Sequence, residues 1–164
     1  MAVAPDFAEF YSASYPRLLT QLYAFVGDRA DAQDLVQEAY TRAFARWTAV
    51  SSLEDPVGWV RRVAWNLAIS RWRRAARLLH LRRDLVGDDV AGPDGLSLDL
   101  VRALKQLPPA HREAAVLHYL ADLSVREIAE FVGVPEGTIK ARLHRARTTL
   151  GKLLSVDGEG VRHD

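Results

Sequence analysis

The segment from Leu123 to Leu150 limits the possible fold more than any other part of the chain. It reads LSVREIAEFVGVPEGTIKARLHRARTTL. Ser124 and Glu127 have the spacing of a capping box, which begins a helix, and Gly133 can take the left-handed conformation that ends one. Pro135 suits the first turn of the helix that follows, where its missing N–H costs nothing. The pattern predicts two short helices joined by a tight turn, the arrangement of a helix-turn-helix.

The second of these helices has an apolar face and a polar face. Its apolar residues recur at steps of four, three and four, which is typical of a buried stripe: Ile139, Leu143, Ala146 and Leu150. Polar and basic residues on the other side can contact base edges and phosphates together. The opposite face carries Thr138, Ala141, His144 and Arg145, and its flanks carry Lys140, Arg142 and Arg147. Taken alone, the stretch also fits an ordinary helical hairpin whose basic face is solvated.

Charge is distributed along the chain in blocks. Met1 to Asp55 has eight acidic residues and four arginines, Pro56 to Arg83 has eight arginines and no acid, and Asp84 to Leu100 has five aspartates and no base. Such blocks favour separate surfaces for separate partners.

The composition excludes several classes of protein. There is no cysteine, so disulfide bonds and cysteine-ligated zinc are excluded. No stretch approaches the roughly 20 apolar residues that span a bilayer, and the first residues lack the basic and apolar regions of a signal peptide. We therefore expect a soluble cytoplasmic protein with no membrane insertion.

Apolar residues recur with helical spacing almost throughout the chain, so we expect an all-α fold. Residues 84–97 read DLVGDDVAGPDGLS, a composition that favours a flexible acidic linker. The sequence therefore predicts two small helical domains, at residues 1–83 and 98–154, joined by this linker. Residues 155–164 are predicted to form a polar tail.

An acidic helix, which we expect Asp31 to cap, precedes a polar loop from Thr48 to Pro56. Asp34 and Glu38 are four residues apart and share a face, and Gln37 lies beside them. Paired carboxylates can serve acid–base chemistry or bind a metal, but no histidine or further carboxylate set lies at ligand spacing. We therefore predict no catalytic residue, no metal and no cofactor. A solvated helix face without a partner is an open alternative for this element.

A long helix is predicted from about Val57 to about Leu81, and it carries a basic face. Within an arc of about 60° on a helical wheel lie Arg62, Asn66, Arg73 and Arg77. Interleaved tryptophans could support unstacked bases, although core burial is the better explanation for each tryptophan taken singly. Asparagine is both a donor and an acceptor, so it can recognise a base edge. The candidate residues of this surface are Arg61, Arg62, Asn66, Arg73, Arg74 and Arg77.

Three segments together resemble an extracytoplasmic-function sigma factor of bacterial RNA polymerase, a class within the sigma-70 family. They are DAQDLVQEAYTRAFARW, DPVGWVRRVAWNLAISRWRR and LPPAHREAAVLHYLADLSVREIAEFVGVPEGTIKARLHRAR, and the resemblance spans about residues 6 to 152. It implies that residues 1–83 form the region 2 domain, which recognises and melts the −10 element. It also implies that residues 98–154 form the region 4 domain, which reads the −35 element.

The resemblance assigns partners to the candidate residues. Asp34, Gln37 and Glu38 are implied to dock on core RNA polymerase. The loop from Thr48 to Pro56 and the helix with Arg62 and Asn66 are implied to capture a flipped base of promoter DNA. The residues implied to read the −35 element are Thr138, Lys140, Ala141, His144 and Arg145. Many relatives are also controlled by an anti-sigma factor. The acidic linker is implied to thread toward the polymerase active site.

The recognition helix limits what the resemblance transfers. Ala141 and His144 occupy base-contacting positions, so no promoter sequence can be carried over. The main alternative is a stand-alone helix-turn-helix transcriptional regulator, which would leave the arginine helix and the acidic linker unexplained. A DNA-processing enzyme would need a nucleophile or a metal cluster, and the sequence offers neither.

Overall fold

The fold was taken from a computed structural model, which describes residues 6–78 and 96–159, with side chains of the second stretch as far as residue 155. Every regular element in these ranges is a helix, which confirms the prediction of an all-α fold. The helices are α1 (Phe7–Val26), α2 (Arg29–Ala45), α3 (Trp47–Ser51), α4 (Pro56–Leu78), α5 (Leu98–Lys105), α6 (Pro109–Tyr119), α7 (Val125–Val132) and α8 (Glu136–Glu159).

The helices form two compact units, α1 to α4 and α5 to α8. Residues 84–95 of the predicted acidic linker lie outside the described residues, as do residues 160–164 of the predicted tail. Ser97 belongs to the second unit, because its hydroxyl accepts the Leu100 N–H at 3.1 Å and begins α5. At the other end α8 continues to Glu159, so residues 155–159 are helical and not a tail.

In the first unit, α1, α2 and α4 pack around a core that contains two large aromatic rings. Phe25 and Trp65 are both about 1% exposed or less, and their rings stack at 4.2 Å and 16°. The prediction that Asp31 caps α2 was wrong. Asp28 is the cap, and its carboxylate accepts the Asp31 N–H at 2.9 Å, because a capping side chain lies before the helix and binds an N–H of the first turn.

The predicted polar loop is shorter in the structure. Its first part forms α3, since Val50 is buried at 2% exposure and draws that turn onto the core. The remaining loop, residues 52–55, ends at Asp55, whose carboxylate accepts the Gly58 N–H at 3.0 Å and begins α4. Gly58 leaves room for this carboxylate, because a Cβ at that position would collide with it.

The second unit confirms the predicted helix-turn-helix in α7 and α8. Ser124 and Glu127 form both hydrogen bonds of the capping box, at 3.1 and 3.2 Å. Gly133 adopts the left-handed conformation with φ of 82°. Ile139, Leu143 and Ala146 are buried and Leu150 is half-buried, which is the predicted apolar stripe.

A buried arginine joins α5 to α6 in this unit. The guanidinium of Arg112 donates to the carbonyl oxygens of Leu104 at 2.8 Å, Lys105 at 3.2 Å and Leu107 at 3.1 Å. The carbonyls of Leu104 and Lys105 belong to the last turn of α5, and that of Leu107 lies just beyond it, so Arg112 caps this helix end from another element. The Leu104 carbonyl also accepts the Leu107 N–H at 3.1 Å. Desolvation lowers the pKa of Arg112 from its usual value.

Within residues 6–78 and 96–159, no helix is both long and apolar enough to cross a membrane.

Candidate nucleic-acid interface

The exposed face of α4 carries five of the six residues predicted to contact DNA in the first unit. They are Arg62, Asn66, Arg73, Arg74 and Arg77. The face opposite is apolar and packs inward, with Val60, Ala64 and Ala68 at 1% exposure or less. The burial of one side therefore orients a row of guanidinium groups and one amide toward solvent. Such a row suits the phosphates of a nucleic acid, and the amide can add recognition of a base edge.

Arg61, the sixth residue, lies elsewhere. It is only 8% exposed, and its Nε donates to Oε1 of Gln21 on α1 at 3.0 Å. One residue of helix rotates a side chain by about 100°, which turns Arg61 away from Arg62 and toward the core. Arg61 is therefore not part of the exposed basic face to which the sequence prediction assigned it.

The three tryptophans of α4 have different surroundings. Trp65 is fully buried, so for this residue the core explanation is correct. Trp72 is half-buried, and its ring lies 4.7 Å from that of Phe25. Trp59 is half-buried and borders an open cavity.

This open cavity lies between the end of α2 and the beginning of α4. It measures about 430 Å³ and is lined by Arg42, Ala45, Arg46, Trp59 and Val63. An indole and two guanidinium groups can stack on a nucleobase or pair with phosphate. Sequence analysis missed Arg42 and Arg46, although their spacing of four residues places them on one face of α2.

Arg42 also forms a weak ion pair at the surface, with Glu38. Its Nε lies 3.2 Å from Oε1 of Glu38, and both side chains are about half exposed, at 53% and 52%. Exposed pairs of this kind contribute roughly 0–1 kcal/mol, so a ligand can displace the contact at low cost.

The outer face of α2 exposes the three residues predicted to dock on another protein. Asp34, Gln37 and Glu38 are all solvent-exposed, and the Gln37 amide donates to the Tyr11 hydroxyl at 2.8 Å. Phe44, further along this helix, is 65% exposed, and its ring contacts Phe7 at 5.1 Å. Sequence analysis missed this exposed ring, because its spacing does not distinguish a core phenylalanine from a surface one.

The start of α2 is strongly acidic. Burial of the Asp31 carboxyl group raises its pKa, and the nearby Asp28 carboxylate raises it further. The Arg71 guanidinium, 3.4 Å from Asp31, lowers this pKa. Arg71 thus links α4 to the acidic beginning of α2.

In the second unit, α8 presents the predicted reading face. Lys140, Ala141, His144 and Arg145 are exposed, and Thr138 is half-buried near the start of the helix. This arrangement allows side chains of several types to reach base edges while arginines and lysine contact phosphates.

His111 on α6 adds a group that sequence analysis missed. Desolvation, followed by the positive charges of Arg145 and Arg142, lowers the pKa of its imidazole. The beginning of α6 is therefore close enough to the basic residues of α8 for their charge to act on His111.

An apolar groove lies on another side of the second unit. Its volume is about 190 Å³, and its lining residues are Leu100, Leu104, Ala115, Val116, Tyr119, Leu120 and Leu150. Tyr119 is 48% exposed, and its hydroxyl accepts a hydrogen bond from Arg147 at 3.1 Å. Among the described residues, no group of three or more histidine, aspartate or glutamate side chains is arranged to hold a metal ion.

Two family models match the two units separately. The model of sigma-70 region 2 matches residues 10–78, and that of sigma-70 region 4 matches residues 97–150. These ranges contain the arginine face of α4 and the reading face of α8.

Curated relatives match most of the chain. The ECF RNA polymerase sigma factor SigW of Bacillus subtilis is 30% identical over 165 residues, covering 90% of this chain and 88% of the relative. RNA polymerase sigma-E factor of Streptomyces coelicolor is 31% identical and covers 88% and 84%. SigL of Mycobacterium tuberculosis, also an ECF sigma factor, is 36% identical and covers 77% and 78%.

Solved structures show the same fold. The sigma factor RpoE of Bartonella quintana, solved with the anti-sigma factor NepR, matches with a TM-score of 0.74 and 26% identity, covering 93% of this chain and 98% of that one. CnrH, solved with the cytosolic domain of CnrY, matches with a TM-score of 0.62 and 25% identity, covering 92% and 88%.

Proposed function

This chain belongs to the extracytoplasmic-function sigma factors of the sigma-70 family, and we propose that its two helical units share the recognition of one promoter. The chain binds core RNA polymerase and directs promoter-specific initiation of transcription. The observation that supports separate roles for the two units is that each has its own exposed basic face, one on α4 and one on α8. Each face lies within its own matched sigma region.

The first unit, residues 1–83, binds and opens the −10 element. Arg62, Arg73, Arg74 and Arg77 anchor phosphates, and Asn66 contacts a base that has left the stack. Unstacking a base costs a few kcal/mol, and a pocket that receives the base offsets this cost. The cavity lined by Trp59, Arg42 and Arg46 lies beside this face, has room for a nucleobase and offers an aromatic surface.

The outer face of α2 docks on core RNA polymerase through Asp34, Gln37 and Glu38. Their exposure leaves them available to a partner, and the exposed ring of Phe44 adds apolar area on the same helix. Aromatic residues are enriched in the centres of protein interfaces, whereas isolated surface charges mainly tune association.

The second unit, α5 to α8, reads the −35 element with α8. Thr138, Lys140, Ala141, His144 and Arg145 supply the contacts, and the apolar face of Ala141 suits a thymine methyl group. The two units belong to one chain, so binding of one unit raises the effective concentration of the other at the same promoter.

The remaining assignments follow from this function. We assign no catalytic step to the chain, because binding energy alone can select and open a promoter. A cytoplasmic location follows from action on RNA polymerase. Because the similar sigma factor RpoE was solved with the anti-sigma factor NepR, an anti-sigma factor is proposed as a further partner of this chain. A stand-alone regulator is not favoured, because it has no use for the exposed arginine face of α4.

A pair of matched variants tests the division of roles in the first unit. Asn66→Ala removes the proposed base contact and should lower the fraction of open promoter complexes by roughly tenfold, since a good base contact contributes about 1–3 kcal/mol. It should leave the affinity for core polymerase unchanged. Glu38→Ala should weaken polymerase binding, and it should leave opening by the assembled holoenzyme intact.

Both quantities can be measured on the same preparations. Competition binding with labelled core polymerase reports docking, and permanganate reactivity of unpaired thymines reports opening. Arg29→Ala, an exposed position of α2 outside both surfaces, is the control. If Asn66→Ala weakens polymerase binding and opening equally, its assigned role is wrong.

A further inference from the structure

Arg61 on α4 and Gln21 on α1 form a buried polar contact between the two helices. Gln21 is 1% exposed and Arg61 is 8% exposed, so neither side chain is accessible to a DNA backbone. The hydrogen bond from Arg61 Nε to Gln21 Oε1 is 3.0 Å long. A buried charged donor that loses its acceptor lowers the stability of the folded protein. This contact therefore favours the arrangement of the two helices that keeps it.

Aromatic contacts between the same two helices are less selective. Phe25 stacks on Trp65 at 4.2 Å and also lies 4.7 Å from Trp72, two helical turns further along α4. Apolar burial depends on area and not on direction. A ring that contacts two tryptophans on one face of α4 therefore fixes the helix position along its axis less sharply than a hydrogen bond does.

The polar contact and the ring stack repeat at the same spacing. Gln21 and Phe25 are four residues apart on α1, and their partners Arg61 and Trp65 are four residues apart on α4. The two contacts thus lie one above the other and share one register. The residue after each partner on α4 is exposed: Arg62 follows Arg61, and Asn66 follows Trp65.

We propose that Arg61 is a positioning residue, which acts through Gln21 to hold α4 at one register on α1 so that Arg62 and Asn66 face promoter DNA. The proposal rests on the promoter-opening function given above. Arg61 itself makes no contact with DNA. A buried polar contact of this kind contributes specificity of structure, which an apolar pair of similar volume would not supply.

The test uses the holoenzyme assembled with four variants: Gln21→Met, Arg61→Met, the double variant and Gln21→Glu. Opening is measured by permanganate and expressed per holoenzyme bound, and thermal unfolding confirms that each variant is folded. Each single methionine variant should lower the opened fraction by roughly tenfold, because a hydrogen bond to a charged group is lost. The double variant should be no worse than either single one, since both remove the same contact.

Two further results distinguish positioning from DNA contact. Gln21→Glu retains the acceptor oxygen and should open promoters like the wild type. The salt dependence of promoter binding should be the same for Arg61→Met and the wild type, because no phosphate contact is removed. If Arg61→Met does not fold, the comparison of Gln21→Met with Gln21→Glu still decides the question.

Three outcomes overturn the proposal. The first is normal opening by folded Gln21→Met. The second is a decrease of about 0.9 in the salt slope for Arg61→Met, which indicates a lost phosphate contact. The third is an equal loss of polymerase binding and opening, which indicates general destabilisation. Failure of the wild-type chain to open any promoter is a different result, and it would reject the proposed function itself.

Discussion

Replacement of Arg112 by methionine tests whether this side chain stabilises the second unit by capping the end of α5. The guanidinium of Arg112 is 9% exposed and donates to three carbonyl oxygens, at 2.8, 3.1 and 3.2 Å. Methionine keeps most of the side-chain volume but removes every donor. The end of α5, near the apolar groove, then loses its cap.

The magnitude follows from the carbonyl groups left behind. The Leu104 carbonyl keeps the Leu107 N–H at 3.1 Å, whereas the carbonyls of Lys105 and Leu107 lose the Arg112 donor. A buried acceptor that loses its donor costs about 1–3 kcal/mol, so we expect a total loss of roughly 3–5 kcal/mol from these two carbonyls. A domain of this size loses about 4–8 °C in melting temperature for each kcal/mol. The melting temperature of the second unit should therefore fall by about 12 °C or more.

The tryptophans allow the two units to be followed separately in the full chain. The four tryptophans, Trp47, Trp59, Trp65 and Trp72, all belong to the first unit. Tryptophan fluorescence therefore reports unfolding of the first unit, and circular dichroism at the helical minimum reports both. Arg112→Met should shift only the circular dichroism component that has no counterpart in fluorescence.

A surface arginine provides the control for this experiment. Arg126 forms an ion pair with Glu130 at 3.4 Å, with the two side chains 80% and 70% exposed. Arg126→Met should change stability by less than about 0.5 kcal/mol. If Arg112→Met is equally mild, or if it shifts the fluorescence transition as far as the circular dichroism one, the capping argument is refuted.

Two further predictions concern charge. Arg73 is exposed on the α4 face, so Arg73→Ala should reduce the slope of log affinity against log salt for promoter binding by about 0.9, whereas Arg29→Ala should not; equal slopes for all three proteins would count against a phosphate contact. Desolvation and then the charges of Arg145 and Arg142 lower the pKa of His111, so the folded state binds this proton less tightly than the unfolded state. The contribution of His111 to stability should therefore be complete above its unfolded pKa of about 6.5 and decline as the pH falls below it. Denaturant unfolding at about pH 7.5 and about pH 5.5 should show a slightly smaller acid-induced loss for His111→Asn than for the wild type, and an identical loss would contradict the argument.

Features set by neighbouring residues could be predicted from the sequence. The capping box of Ser124 and Glu127 and the left-handed Gly133 were predicted correctly, because each depends on a few adjacent residues. The apolar stripe of α8 was predicted because its period follows directly from helix geometry. The exposure of Asp34, Gln37 and Glu38 agrees with a docking face, although their role stays a prediction.

Features set by tertiary contacts could not be predicted. Arg61 and Arg62 are adjacent and chemically identical, yet α1 covers only Arg61 and provides Gln21 as its acceptor. Arg112 looks like an ordinary helical arginine, and its role depends on carbonyls of another helix. The helix α3 formed inside a polar segment because Val50 reaches the core. Asp28, and not Asp31, caps α2, because the first residue of a helix depends on local backbone geometry that the spacing of apolar residues does not reveal.

The central claim is that two units of this chain read two elements of one promoter. The most direct measurement is transcription by core RNA polymerase and the purified chain from a library of random upstream sequences, followed by sequencing of the templates that yield transcripts. The account predicts two enriched elements at a fixed spacing, with Asn66→Ala reducing enrichment at the downstream element and Lys140→Ala at the upstream one. Transcripts that depend on a single element, or none above core polymerase alone, would contradict it.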